Sequence, residues 1–183
     1  SSKNGGNSYA VRGMFDWTEK LHLEASYAMT ENAKDTSLAG DKTTGGEDYS
    51  NINIGLDSNL GELSLKAEYF NAKNIKGKDG YDQQVYTATA GYFVTPALEL
   101  VAKHMQGSAQ GNGADTDLGN TYIGANIFMS MPYQDFSRKA KRMRNQHKVV
   151  LNYIVASGDT DGVWNGLKGY KDDAFIAQYQ FKF

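Results

Sequence analysis

Apolar and polar side chains alternate residue by residue through stretch after stretch of this chain, a period that fits a half-buried β-strand and no helix. In LHLEASYAM, Leu21, Leu23, Ala25, Tyr27 and Met29 fall on one face and His22, Glu24 and Ser26 on the other. NINIGLD sets Ile52, Ile54 and Leu56 against Asn51, Asn53 and Asp57, and ELSLKAEY sets Leu63, Leu65, Ala67 and Tyr69 against Glu62, Ser64, Lys66 and Glu68. The last stretch, FIAQYQFKF, puts Phe175, Ala177, Tyr179, Phe181 and Phe183 opposite Gln178, Gln180 and Lys182. Carried along the whole chain, the pattern predicts about nine strands.

The connections have an order of their own. Residues 18–20, 58–61 and 95–97 make links of three or four residues, whereas 30–48, 71–83, 106–118 and 157–172 run from thirteen to nineteen. A soluble sandwich has no reason for strict alternation, because both of its ends meet the same solvent. A barrel through a bilayer does, with tight turns on one side and long loops on the other. Strands of about nine to eleven residues can cross a bilayer when tilted. Backbone groups in lipid must all be paired, so the last strand is expected to join the first. The expected fold is therefore all-β, a transmembrane antiparallel up-and-down barrel.

An odd strand count departs from the even count of single-chain bacterial barrels, and the SSKNGGNS start reads as the tail of a long loop. Residues 1–183 are accordingly expected to be one unit, the C-terminal portion of a barrel of roughly sixteen to eighteen strands. One connection breaks the order. Residues 130–146, with MPYQDFSRKAKRMRNQ, stand where a short turn is due, and are expected to form a basic periplasmic excursion. The run 138–148 within and beyond it could grip a phosphate-bearing partner, although a solvated linker is the commoner meaning of such a run.

Charge is nearly balanced, Lys+Arg 19 against Asp+Glu 21, so no global field calls for nucleic acid. No apolar run reaches the ~20 residues of a spanning helix. Twelve Tyr, eight Phe and twenty Gly against two Pro suit a sheet with glycine-rich loops. Cysteine is absent, which removes disulfides and thiolate metal sites. His22, His104 and His147 show no metal-ligand spacing. The acidic pieces Asp115 with Asp117 and Asp159 with Asp161 resemble the start of a calcium loop, but Tyr170 stands where the closing Glu belongs, so they read as solvated loops. With no GxSxG, Walker or dinucleotide pattern, the chain is expected to be no enzyme and to need no cofactor.

The terminal Tyr179, Phe181 and Phe183 carry a family resemblance. The chain resembles Gram-negative outer-membrane β-barrel proteins, whose last strand ends in Phe after alternating aromatic or apolar residues. The closing third, LNYIVASGDTDG followed by DDAFIAQYQFKF, is similar to the end of porins, loosely including the phosphate-selective family. The resemblance implies recognition of the terminal aromatics by the barrel-assembly machinery, an outer-membrane location, contact with membrane lipid and lipopolysaccharide, and a homotrimer. It also implies a water-filled channel for passive diffusion of small hydrophilic solutes and ions. Arg12, Glu24, Asn53, Lys66, Glu68, Lys103, Asn126 and Gln178 then line the pore. Arg12, Lys66 and Lys103 at mid-depth, with Asp16, Glu24, Asp57, Glu62 and Glu99 nearer the rim, lead to an expected mild anion preference. Two alternatives stay open: a structural or adhesive barrel whose loops bind partners, and a soluble sandwich or lipocalin-like binder.

Overall fold

The computed structural model describes residues 7–31, 46–111, 114–129, 147–158 and 172–181. They form one antiparallel sheet in which every strand pairs with its neighbour in sequence. The strands are β1 (Ser8–Trp17), β2 (Leu21–Thr30), β3 (Tyr49–Leu60), β4 (Leu63–Lys73), β5 (Asp82–Thr95), β6 (Leu98–Gly111), β7 (Ala114–Phe128), β8 (His147–Gly158) and β9 (Ala174–Phe181). The regions 130–146 and 159–171, and with them the basic excursion, the Asp159 and Asp161 carboxylates and Phe183, lie outside the described residues.

Local chemistry explains the short turns. Gly61, with φ of 70°, supplies the left-handed residue that lets Leu60 face Leu63 directly. Thr18 adopts φ of 65°, and its hydroxyl accepts a bond from the Lys20 amide at 3.3 Å. Of the long connections, the one after β4 is ordered by its own hydrogen bonds. Asn74 donates from its amide to Asp82 Oδ1 at 3.0 Å and from its side chain to the Asp48 carbonyl at 3.1 Å. The expected loop at 106–118 is instead a strand hairpin in which Gln110 faces Asp115 and Gly111 faces Ala114. Its Gly, Ala, Ser and polar content hid the strand from a reading that looked for apolar alternation.

Register sorts the side chains onto two faces. Trp17, Leu21, Leu56, Tyr86, Leu100, Ile123, Tyr153 and Phe175 share one face with their cross-strand partners. Apart from Met14, the large apolar side chains most exposed among the described residues all point from this face. On β1 it runs from Tyr9 to Trp17, roughly 26 Å along the strand at about 3.3 Å per residue, enough to cross a hydrocarbon layer with the usual tilt. Aromatic rings gather at both margins: Trp17, Tyr92 and Tyr179 towards the short turns, and Tyr9, Tyr27, Tyr69, Tyr86 and Tyr153 towards the long connections. Ring hydroxyls there find partners, as where Tyr86 donates to Gln106 Oε1 at 2.7 Å.

Three expectations are corrected. First, β9 does not join β1: the strand order is linear and, among the described residues, both outer edges are unpaired. The reason is parity, since in an antiparallel sheet of nine strands the first and last run in the same direction. Second, Phe93 stands near a strand end, where the sequence pattern of such a barrel leads one to expect a ring in the headgroup girdle, yet it belongs to none. It lies on the opposite face, 7% exposed, stacked on Phe128 with ring centroids 5.8 Å apart. Third, that opposite face is not uniformly polar. Across β5 to β8 it carries Val85, Val101, Met105, Leu118, Tyr122 and Ile154, the last fully buried.

Candidate functional site on the polar face

Two-residue periodicity delivers Arg12, Glu24, Asn53, Lys66, Glu68, Lys103, Asn126 and Gln178 to the same face, as the sequence predicts. What it does not predict is their partners. On β1 to β4 most of the charges on this face are already matched. Arg12 Nη2 donates to Glu24 Oε2 at 2.6 Å, and Lys66 Nζ lies 2.8 Å from Asp57 Oδ2, directly across the β3–β4 ladder. His22 sets Nδ1 2.7 Å from Asp16 Oδ1 and Nε2 3.7 Å from Glu24 Oε2. Asn53 Nδ2 donates to Glu68 Oε1 at 2.8 Å. Gly55 leaves room for this arc, because a Cβ there would stand 3.1 Å from Glu24 Cγ.

On β4 to β8 one carboxylate organises the wall near the short turns. Glu99, 8% exposed, accepts from Asn126 Nδ2 at 2.8 Å and from Ser64 Oγ at 3.3 Å. A Cβ on Gly91 would collide with both the Glu99 carboxylate and the Ser64 hydroxyl, so glycine is what admits the network. Further along, Lys103 holds its ammonium 5.5 Å from the centre of the Tyr122 ring. Asn120, 6% exposed, keeps its Oδ1 without a hydrogen-bond partner.

These contacts weaken the basis for the expected anion preference, leaving Lys103 alone of its three bases without an acid. Arg12 and Lys66 are neutralised at bonding distance by acids the sequence had placed at the rim, and Glu99 is nearly buried. A signal for one pair was present: with Leu60 opposite Leu63 across a two-residue turn, counting back places Asp57 opposite Lys66. Reading 58–61 as the turn concealed it. Nothing in the sequence marked Glu99 for burial, since its partners come from three other strands.

No protein-family model matches the sequence, and no curated protein sequence matches it. Solved structures do. The chain is similar to OmpT, an outer membrane protein of Vibrio cholerae, in a form with loop L8 deleted, at a TM-score of 0.57 and 16% identity over 85% of this chain and 50% of that one. It is similar to in-vitro folded OmpT in a trimer form at a TM-score of 0.54 and 16% identity, over 95% of this chain and 54% of that one. The chain thus spans about half the length of these proteins.

The finer resemblance to phosphate-selective porins finds no support here. The expectation that the chain is no enzyme is also overturned. The two neighbours named are forms of OmpT, and at 16% identity they establish a fold that excludes no chemistry, so missing motifs do not make it a non-enzyme. The expected outer-membrane location agrees with neighbours that are outer membrane proteins of a Gram-negative bacterium. What the likeness shows is the fold, an antiparallel up-and-down sheet of the outer-membrane β-barrel kind.

Proposed function

We propose that this sheet is part of the wall of a water-filled outer-membrane channel for the passive diffusion of small hydrophilic solutes. The observation that supports it is the division of the faces: exposed apolar and aromatic residues on one, and the arc of Arg12, His22, Glu24, Asn53, Asp57, Lys66 and Glu68 on the other. Polar and charged side chains this exposed suit a wall that faces water and not lipid.

The open edges of β1 and β9 need partners before the sheet can enter lipid. Antiparallel closure requires an odd number of further strands, and a chain spanning about half of its neighbours suggests a barrel of roughly sixteen to eighteen. That a neighbour was solved in a trimer form suggests a homotrimer. In this reading lipid and lipopolysaccharide surround the apolar face, and the β9 aromatics Tyr179 and Phe181, with Phe183, serve the assembly machinery. The test is planar-bilayer recording with the full-length protein. Stepwise ohmic conductance is expected, and folded, inserted protein without conductance would leave the structural or adhesive barrel as the better reading.

A further inference from the structure

On β6 to β8 the face that carries the wall charges also carries apolar side chains, and the two kinds meet around Lys103. Along β6, Val101 and Met105 stand two residues before and after Lys103 and share its face. Across the ladder Lys103 is opposite Tyr122, and Tyr122 is opposite Ile154. Val101, Lys103, Met105 and Tyr122 are half-buried, while Ile154 is fully buried. The Lys103 ammonium stands 5.5 Å from the centre of the Tyr122 ring, and among the described residues no carboxylate is in ion-pair range of it. A ring face neutralises no charge, and contact with it leaves ammonium protons for an acceptor. Lys66, by contrast, is tied to Asp57. Water gains nothing from Val101 and Met105, whereas small-molecule sites are mostly apolar with a few polar groups that fix orientation.

We propose that this part of the wall is a binding station for amphipathic anions, small carboxylates that carry an apolar body. The carboxylate pairs with the Lys103 ammonium, and the body covers Val101, Met105 and the exposed part of Tyr122. Both halves of the solute are needed. A carboxylate without a body gains only an ion pair open to water, which is weak. A body without charge gains only the apolar contact, and a cation with the same body meets the like charge of Lys103. The inference rests on the channel reading and gives it a solute class.

The test records the full-length protein in planar bilayers while benzoate, acetate or benzamide is added to one side. Benzoate should reduce the ionic current at concentrations several-fold below those needed for acetate or benzamide. Lys103→Gln should bring benzoate to the level of benzamide, and Met105→Gln should bring it towards that of acetate, while Glu19→Gln, in the β1–β2 turn, changes neither. Conductance of each variant before solute is added shows that it has folded and inserted. Equal effects of the three solutes, or an advantage of benzoate that survives both variants, would overturn the station and leave the channel standing. Absence of conductance in folded, inserted parent protein would overturn both.

Discussion

At the scale of single residues, the buried carboxylate Glu99 shows how one polar side chain constrains four strands. Its donors Ser64 and Asn126 sit on β4 and β7, and the glycine that makes room for it sits on β5. Replacing Asn126 by Ala leaves a nearly buried charge short of a donor and should cost about 1–3 kcal/mol. Gly91→Ala overpacks the same point and should also cost about 1–3 kcal/mol. Urea unfolding in lipid vesicles, followed by tryptophan fluorescence, reads both. A loss equal to that of Glu99→Gln in the Asn126 variant would tie the effect to the network, and unchanged midpoints would mean that the carboxylate is satisfied by water. None of this was legible beforehand, because the partners lie 27 and 35 residues away in sequence.

At the scale of the strand, the argument turns on which face meets lipid. Ile54 is an exposed apolar residue in the middle of β3, and its neighbour Asn53 points the other way. A charge at mid-depth on the lipid face of such a barrel costs about 2–4 kcal/mol, and far less near the interfaces. Ile54→Arg should therefore lower stability in vesicles by that amount, while Asn53→Arg changes it little. The reverse order would exchange the two faces. The last strand offers a separate check. Phe181 packs edge-on against His147 at 4.3 Å, beside the His147–Tyr179 contact of 3.2 Å. Phe181→Ala should reduce the yield of heat-modifiable folded barrel in cells, and normal yield would count against a role for the terminal aromatics in assembly.

At the scale of the whole molecule, orientation and selectivity become testable. The ordered β4–β5 connection, with Lys78 over the Tyr81 ring at 5.1 Å, belongs to the long-loop side, and the Thr18–Lys20 turn to the other. Cysteine at Lys78 should react with an impermeant reagent on intact cells and cysteine at Glu19 should not; the opposite result inverts the topology. Because Arg12 and Lys66 are paired, a channel with this wall should show a small reversal potential in a salt gradient. Lys66→Glu, which sets a second acid against Asp57, should shift it towards cations, less so as salt shortens the screening length. A strong anion preference in the parent would show that other strands of the barrel set the selectivity.

The two faces, and the shared face of the eight residues proposed for the wall, were legible in the sequence alone, because a period of two needs only the order of side chains. Lys66 points with Ser64 and Glu68 whatever the rest of the chain does. What only tertiary structure decided are the relations between strands: that Lys66 spends its charge on Asp57, that Glu99 is buried, that 106–111 and 114–118 pair as strands, and that, among the described residues, β9 does not pair with β1. Such pairings depend on register, and a shift of one residue exchanges every cross-strand partner while leaving each strand's own pattern intact. Alternation therefore places a charge on a wall, and only the ladder says whether that charge is left for a solute.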